Sequence, residues 1–129
     1  MISYPYTHVW NRAMRDLVVQ LAGILALAAV VAHGVLGETK IFARVRIEPE
    51  RVRLLMRLVW QWGTIACVGL AILLVAAPKL GSEAARNWII ATSIVTFGFG
   101  AIGNAWATRG RHFGWVVLII VVGLAAIGL

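Results

Sequence analysis

The chain has 129 residues, of which 61% are hydrophobic and 13% are charged, and twelve Lys and Arg against five Asp and Glu give a net charge of +7. Soluble domains carry about 25% charged residues, so the composition excludes an ordinary soluble domain and indicates an integral membrane protein in contact with the lipid bilayer. The positive charge does not indicate nucleic-acid binding, because the basic residues lie at the ends of apolar blocks, where such residues set orientation and meet anionic lipid headgroups.

Four apolar blocks predict an all-α fold, an integral membrane four-helix transmembrane bundle that forms a single domain over residues 1–129. The predicted helices cover about residues 17–36, 58–77, 87–107 and 113–129. The first three have about 20 residues, enough to cross a 30 Å hydrocarbon core, and the fourth is near the lower limit of about 17. The first block, which follows a basic start, also resembles a cleaved signal peptide, but its length favours a retained helix.

Turn-forming residues separate the predicted helices. Pro49 can open the second helix in its first turn, and Pro78 closes it. Ser82, followed by Glu83, is a typical N-cap for the third helix. The only sizeable connection runs from residue 37 to residue 48, and part of it can extend a neighbouring helix.

The distribution of basic residues predicts the orientation of the chain. The N-terminal segment and the second connection carry four Lys and Arg, and the first and third connections carry eight. By the positive-inside rule the two larger basic connections are cytoplasmic. We therefore expect a multi-pass protein of a bacterial inner membrane with both termini on the periplasmic side.

Small residues predict which helix faces are packed. In lipid, helices associate through close contact between small side chains and through interhelical hydrogen bonds. On helix 1 such residues share one face with a histidine: Ala22, Ala26, Ala29, His33 and Gly37. Helix 3 has a similar stripe: Thr92, Thr96, Gly100, Gly103 and Ala107. We expect helix 3 to be central, and the bulky helix 4 to face lipid or a partner.

Connectivity places several polar residues at one end of the bundle. The end of helix 1, the start of helix 2 and the end of helix 3 lie at the same membrane surface, together with these residues: His33, Glu38, Arg57, Gln61 and Asn104. Polar residues at membrane depth are costly and by default mark a functional site. We expect Glu38 to pair with Arg57, and His33 to pair with an amide side chain, Gln61 or Asn104. The cluster is a candidate binding or gating site, and the alternative is that it only holds the helices together.

Two short segments of the cluster resemble motifs of a protein family. The segment from His33 to Glu38 has the pattern His-x-x-Leu-Gly-Glu, and the segment from Arg57 to Gln61 has the pattern Arg-x-x-Trp-Gln. They resemble motifs of uncharacterised small bacterial four-helix inner-membrane proteins, in which the first pattern closes helix 1 and Arg-x-x-Trp-His opens helix 2. This chain departs from the second pattern at Gln61, which removes the second histidine that a two-histidine metal or haem site would use.

No cofactor and no metal site is predicted. A haem needs axial ligands that face each other at similar depth, and only His33 qualifies. A zinc ion needs three or four ligands close together, and no spacing motif supplies them. The chain also lacks a nucleophile beside a candidate base, so we do not predict an enzyme.

These observations favour a protein that acts by association. Beside the four apolar blocks the sequence leaves no stretch long enough for a soluble domain, and its interior lacks a recognisable reactive group. We expect an accessory or scaffolding subunit of a membrane complex, or a homo-oligomer. The alternative is a small oligomeric channel or transporter that the polar cluster gates at its cytoplasmic end.

Overall fold

The computed structural model describes the backbone of residues 6–129 and the side chains of residues 11–129. Four α-helices follow one another along the chain: α1 (Tyr6–Leu36), α2 (Glu50–Ala76), α3 (Glu83–Thr108) and α4 (Gly114–Gly128). A π-helical turn, π1 (Gly37–Phe42), continues α1, and a 3-10 turn (Ala77–Lys79) ends α2. The predicted all-α four-helix bundle is confirmed.

Three of the helices have the length and composition of membrane spans. Within the described residues these are Asn11–Phe42, Glu50–Lys79 and Glu83–Thr108, with 32, 30 and 26 residues. The apolar α4 has 15 residues, which is a rise of about 22 Å. The helices are compatible with a membrane protein, and α4 is the shortest of them.

The inner helix of the bundle is α1, because it packs against both α2 and α4, while α3 packs mainly against α4. Of the most apolar 18-residue window of each helix, 33% is buried in α1, 22% in α3 and 11% in α2. The expectation that helix 3 is central is therefore wrong. Helix α4, which was expected to face lipid or a partner, packs against both α1 and α3, with Val121, Ala125 and Gly128 buried.

Glycines allow α1 and α2 to approach closely. A Cβ atom added at Gly23 would lie 2.6 Å from Cγ2 of Val75, and one added at Gly34 would lie 2.8 Å from Cγ2 of Thr64. Any larger residue at these two positions would push the helices apart. Of the predicted packing residues, Ala22 and Ala26 are fully buried, and Ala29 is half-buried.

The buried face of α3 differs from the predicted stripe. It consists of five residues spaced three or four apart: Arg86, Ile90, Ser93, Phe97 and Ala101. Gly100 is half-buried against Leu118 of α4, whereas Gly103 is exposed and has open space around it. At Gly103, a predicted packing residue, an added Cβ would meet nothing within 4 Å in the described chain, because burial of Phe97 and Arg86 turns this side of α3 outward.

The two ends of the bundle are packed differently. At the closed end, formed by residues 11–19, 77–86 and 125–129, all four helices contribute to one core, which includes Val19, Leu74, Ile90 and Ala125. The basic end is formed by residues 33–61 and 104–114. There the start of α2 is not packed into the bundle core, because residues 50–59 are all exposed and the buried residues of α2 lie in its last six positions.

Side-chain and backbone caps set the helix limits. The Ser82 hydroxyl accepts a hydrogen bond from the Ala85 amide at 3.3 Å, which confirms the predicted N-cap of α3. At the other end of α3, the amide of Gly110 donates to the Ala105 carbonyl at 2.8 Å, with Arg109 in the left-handed conformation at φ 52°. This pattern is a Schellman motif, which usually has glycine where Arg109 stands.

Candidate functional site

An ion pair links α1 to α2 at the basic end. Arg57 Nη2 lies 2.6 Å from Glu38 Oε2. The amide nitrogen of Gln61 donates to the other oxygen, Glu38 Oε1, at 2.6 Å. Both carboxylate oxygens therefore bind groups on α2. The expected pairing of Glu38 with Arg57 is found, and Gln61 joins it.

The π-helical turn contributes to this arrangement. In π1 the Ala43 amide donates to the carbonyl of Glu38, five residues earlier, at 3.2 Å. Such a turn adds one residue relative to an α-helical turn and rotates the side chains that follow, and π-turns are frequent at functional sites. Here Glu38 faces α2, and Phe42 is buried beneath the start of α2.

His33 contacts an aromatic ring rather than an amide. Its imidazole stacks on the indole of Trp60, with ring centroids 4.1 Å apart and an interplanar angle of 8°. Phe42 meets the same indole edge-on at 5.8 Å. Among the described residues, Gln61 and Asn104 make no hydrogen bond to His33, so the expected partner was wrong. The reason is that Gln61 is already bound to Glu38 and reaches the Gly34 carbonyl at 3.5 Å.

Gly37 makes the position of Trp60 possible. A Cβ atom at residue 37 would overlap the indole ring, so only glycine lets the ring lie against α1. The indole nitrogen of Trp60 is buried there and has no hydrogen-bond partner within the described part of the chain. Close packing is therefore achieved at the cost of one unsatisfied donor, which is unusual for a buried polar group.

Asn104 lies apart from the ion pair, beside the turn between α3 and α4. A Cβ atom at Gly114, the first residue of α4, would lie 3.6 Å from the Asn104 amide nitrogen. The Asn104 side-chain oxygen is buried and unpaired in the described residues. His112, in the same turn, accepts a hydrogen bond from the Gly114 amide at 3.1 Å. Of the five predicted cluster residues, four therefore meet at the α1–α2 contact, and Asn104 does not bind any of them.

A second polar group, which the sequence did not predict, lies at the closed end. Arg86, on the first turn of α3, is only 5% exposed. Its Nη2 atom lies 3.3 Å from Asp16 Oδ1 and 2.8 Å from the carbonyl oxygen of Gly128. Arg15 also donates to the carbonyl oxygens of Gly128 and Leu129. These bonds join α1 and α3 to the end of α4.

Connectivity could have indicated this second group. The start of α1, the start of α3 and the end of α4 share one membrane surface for the same reason that the other ends do. Asp16 and Arg86 are opposite charges near that surface, close to the apolar blocks. In the sequence, Arg86 contributes only to the count of basic residues that predicts orientation.

The chemistry available at either end is ionic and hydrogen-bonding. Within residues 11–129, no group of three or more His, Cys, Asp or Glu lies close enough to hold a metal ion. The basic end offers a carboxylate already bound by two partners and an imidazole stacked on an indole. The closed end offers a buried guanidinium whose partners all belong to the chain.

Comparison of the chain with family models, with curated proteins and with solved structures finds no match.

Proposed function

We propose that this protein acts by association in a bacterial inner membrane, either as a homo-oligomer or as an accessory subunit of a larger membrane complex, with both termini on the periplasmic side. The proposal rests on the incomplete packing of α2 and α3. In α2 only Ala71 and Leu74 are buried, and residues 50–59 at its start are all exposed.

The outward face of α3 supports the same proposal. It combines the small residues Thr92, Gly103 and Ala107 with large ones that are highly exposed, Phe99 at 79% and Trp106 at 84%. In a bilayer, large apolar residues need no cover, but small residues on an outward face allow another helix to approach closely. A helix from a second polypeptide would fit against this face.

A pair of glycine variants tests the proposal. Gly103 on α3 and Gly123 on α4 are both exposed, with no atoms within 4 Å of an added Cβ. We therefore expect leucine at either position to be accommodated on the helix surface without displacing a neighbouring helix. The protein is extracted in mild detergent from its own membrane and weighed by native mass spectrometry. We expect a complex of defined mass that Gly103→Leu dissociates and Gly123→Leu preserves.

Two results would contradict the proposal. A protein that is monomeric after extraction, and that gives no cross-linked product in intact membranes, contradicts association. A complex that survives both variants contradicts the use of this face of α3.

A second candidate function is a small channel or transporter formed by several copies. The ion pair of Arg57 and Glu38 favours it, because it lies where α2 leaves the bundle and is partly exposed, at 54% and 29% of the two side chains. In proteoliposomes we expect an ion flux that Glu38→Gln alters. A complex with unrelated subunits and no flux contradicts this candidate and leaves the first standing.

A further inference from the structure

The two membrane surfaces of the protein differ in charge. The basic end carries eight Lys and Arg against three Glu, a net charge of +5, and the closed end carries four basic residues against one Asp and one Glu, a net charge of +2. The counts alone do not identify a binding surface, because basic residues can be neutralised within the protein. What matters is how many of them have partners.

At the closed end the arginines are used within the fold. Arg12 Nη2 lies 2.9 Å from Glu83 Oε1, and Arg86 Nη2 lies 3.3 Å from Asp16 Oδ1. Arg15 donates to backbone carbonyls at the end of α4. Only Lys79 has neither an ion pair nor a side-chain hydrogen bond in the described chain.

At the basic end three arginines have partners and five basic residues do not. The partners are Glu48 for Arg46 and Glu38 for Arg57, and Arg53 donates to the Phe42 carbonyl at 2.6 Å. The basic residues that are exposed and make no ion pair or side-chain hydrogen bond within residues 11–129 are Lys40, Arg44, Arg51, Arg109 and Arg111. Residues 1–10 contain no Asp or Glu that could pair with them.

Apolar side chains lie among these free cations. Val45, Leu54 and Leu55 are 47%, 55% and 60% exposed. The 27 residues of α2 rise about 40 Å, so its first turns extend beyond a hydrocarbon core of about 30 Å. The start of α2 therefore lies at headgroup depth, with basic and aliphatic residues side by side.

We propose that the basic end binds the phosphate headgroups of anionic phospholipids through its five unpaired basic residues. Clusters of four to eight Lys and Arg next to a membrane span attract anionic lipid, and arginine binds phosphate oxygens through two parallel N–H donors. The neighbouring aliphatic side chains fit the upper part of an acyl chain, which a free phosphate ion lacks. The occupant is thus a lipid, and the surface is separate from the α3 face proposed for association.

Lipid titration of the purified protein tests this. The protein in mild detergent is mixed with phosphatidylglycerol, with phosphatidylcholine or with inorganic phosphate, and bound lipid is counted by native mass spectrometry. We expect phosphatidylglycerol to be retained in preference to phosphatidylcholine. In the variant Arg44→Gln/Arg51→Gln/Arg109→Gln we expect its affinity to fall about a hundredfold, which is about fivefold for each residue removed.

The matched control is Lys79→Gln, which removes the free cation of the closed end and should leave phosphatidylglycerol binding unchanged. A second variant, Lys40→Gln/Arg111→Gln, uses the other two cations and keeps the test valid if the triple variant does not fold. Equal retention of the two lipids, or equal loss in Lys79→Gln, would overturn the proposal. Displacement of the lipid by millimolar phosphate would overturn the assignment to a lipid.

Discussion

The closed end and the basic end use the same chemistry, an arginine beside a carboxylate, for opposite purposes. At the closed end the side chain of Arg86 is 6% exposed, and its partners come from α1 and α4. At the basic end the side chain of Arg57 is 54% exposed, and the Trp60 indole lies against Gly37. Burial therefore distinguishes the structural Arg86 from the surface-exposed Arg57, which a count of charges at each end does not.

The largest effect is expected from loss of the buried arginine. Arg86→Met leaves Asp16 without its ion-pair partner and removes one of the two arginines that donate to the Gly128 carbonyl, and breaking a buried pair in this way costs about 3 to 5 kcal/mol. The free energy of unfolding is measured in mixed micelles titrated with sodium dodecyl sulfate. Arg57→Met should cost less, because water can replace its guanidinium at Glu38.

Two further variants sharpen this test. Arg12→Met removes an ion pair whose side chains are 70% and 62% exposed, and should change the free energy of unfolding by about 1 kcal/mol or less. Asp16→Leu/Arg86→Met removes both charges and should be more stable than Arg86→Met alone. Equal losses for Arg86→Met and Arg57→Met would contradict the distinction between the ends.

The next largest loss of stability is expected at the contact between Gly37 and the Trp60 indole at the basic end. Gly37→Ala places a methyl group where the Trp60 indole lies, and such overpacking costs about 1 to 3 kcal/mol. The same change at Gly63, where an added Cβ meets nothing within 4 Å, should stabilise α2 by about 0.5 to 1 kcal/mol. Unfolding free energies of the two variants check this. A stabilising Gly37→Ala would show that Trp60 does not hold α2 against α1.

The sequence was sufficient to predict the fold class and which residues could share an end. Composition indicated a membrane protein, with which the apolar helices are compatible, and connectivity placed Glu38 at the same end as Arg57. The partner of His33 could not be predicted, because it depends on Trp60 lying flat against Gly37. That position depends on a local close approach and on the π-turn, which hydropathy does not encode.

The packed face of α3 shows a limit that is specific to membranes. In water, the side that bears Phe97 and Ile90 would be recognised as the core because it is apolar. In lipid, apolar residues are equally suited to either side, and small residues mark any helix contact, within the chain or with a partner. Of the small residues that predicted a packed face on helix 3, Thr92, Gly103 and Ala107 are exposed, whereas Gly100 is half-buried against Leu118. Sequence alone cannot make this distinction.

The smallest change in the free energy of unfolding is expected in the turns at the two ends. Both turns contain residues with positive φ: the closed end has Gly81 at φ 68°, and the basic end has Arg109 at φ 52° followed by Gly110 at φ 73°. A residue with a Cβ pays about 1 kcal/mol or more in this conformation, so Arg109→Gly should raise the free energy of unfolding by about 0.5 to 1 kcal/mol. Gly81→Arg should lower it by a similar amount.

If Arg109→Gly also weakens phosphatidylglycerol binding, the strained arginine is retained at the basic end for its charge, at the expense of stability. If the stability rises and lipid binding is unchanged, Arg109 is not part of the lipid surface.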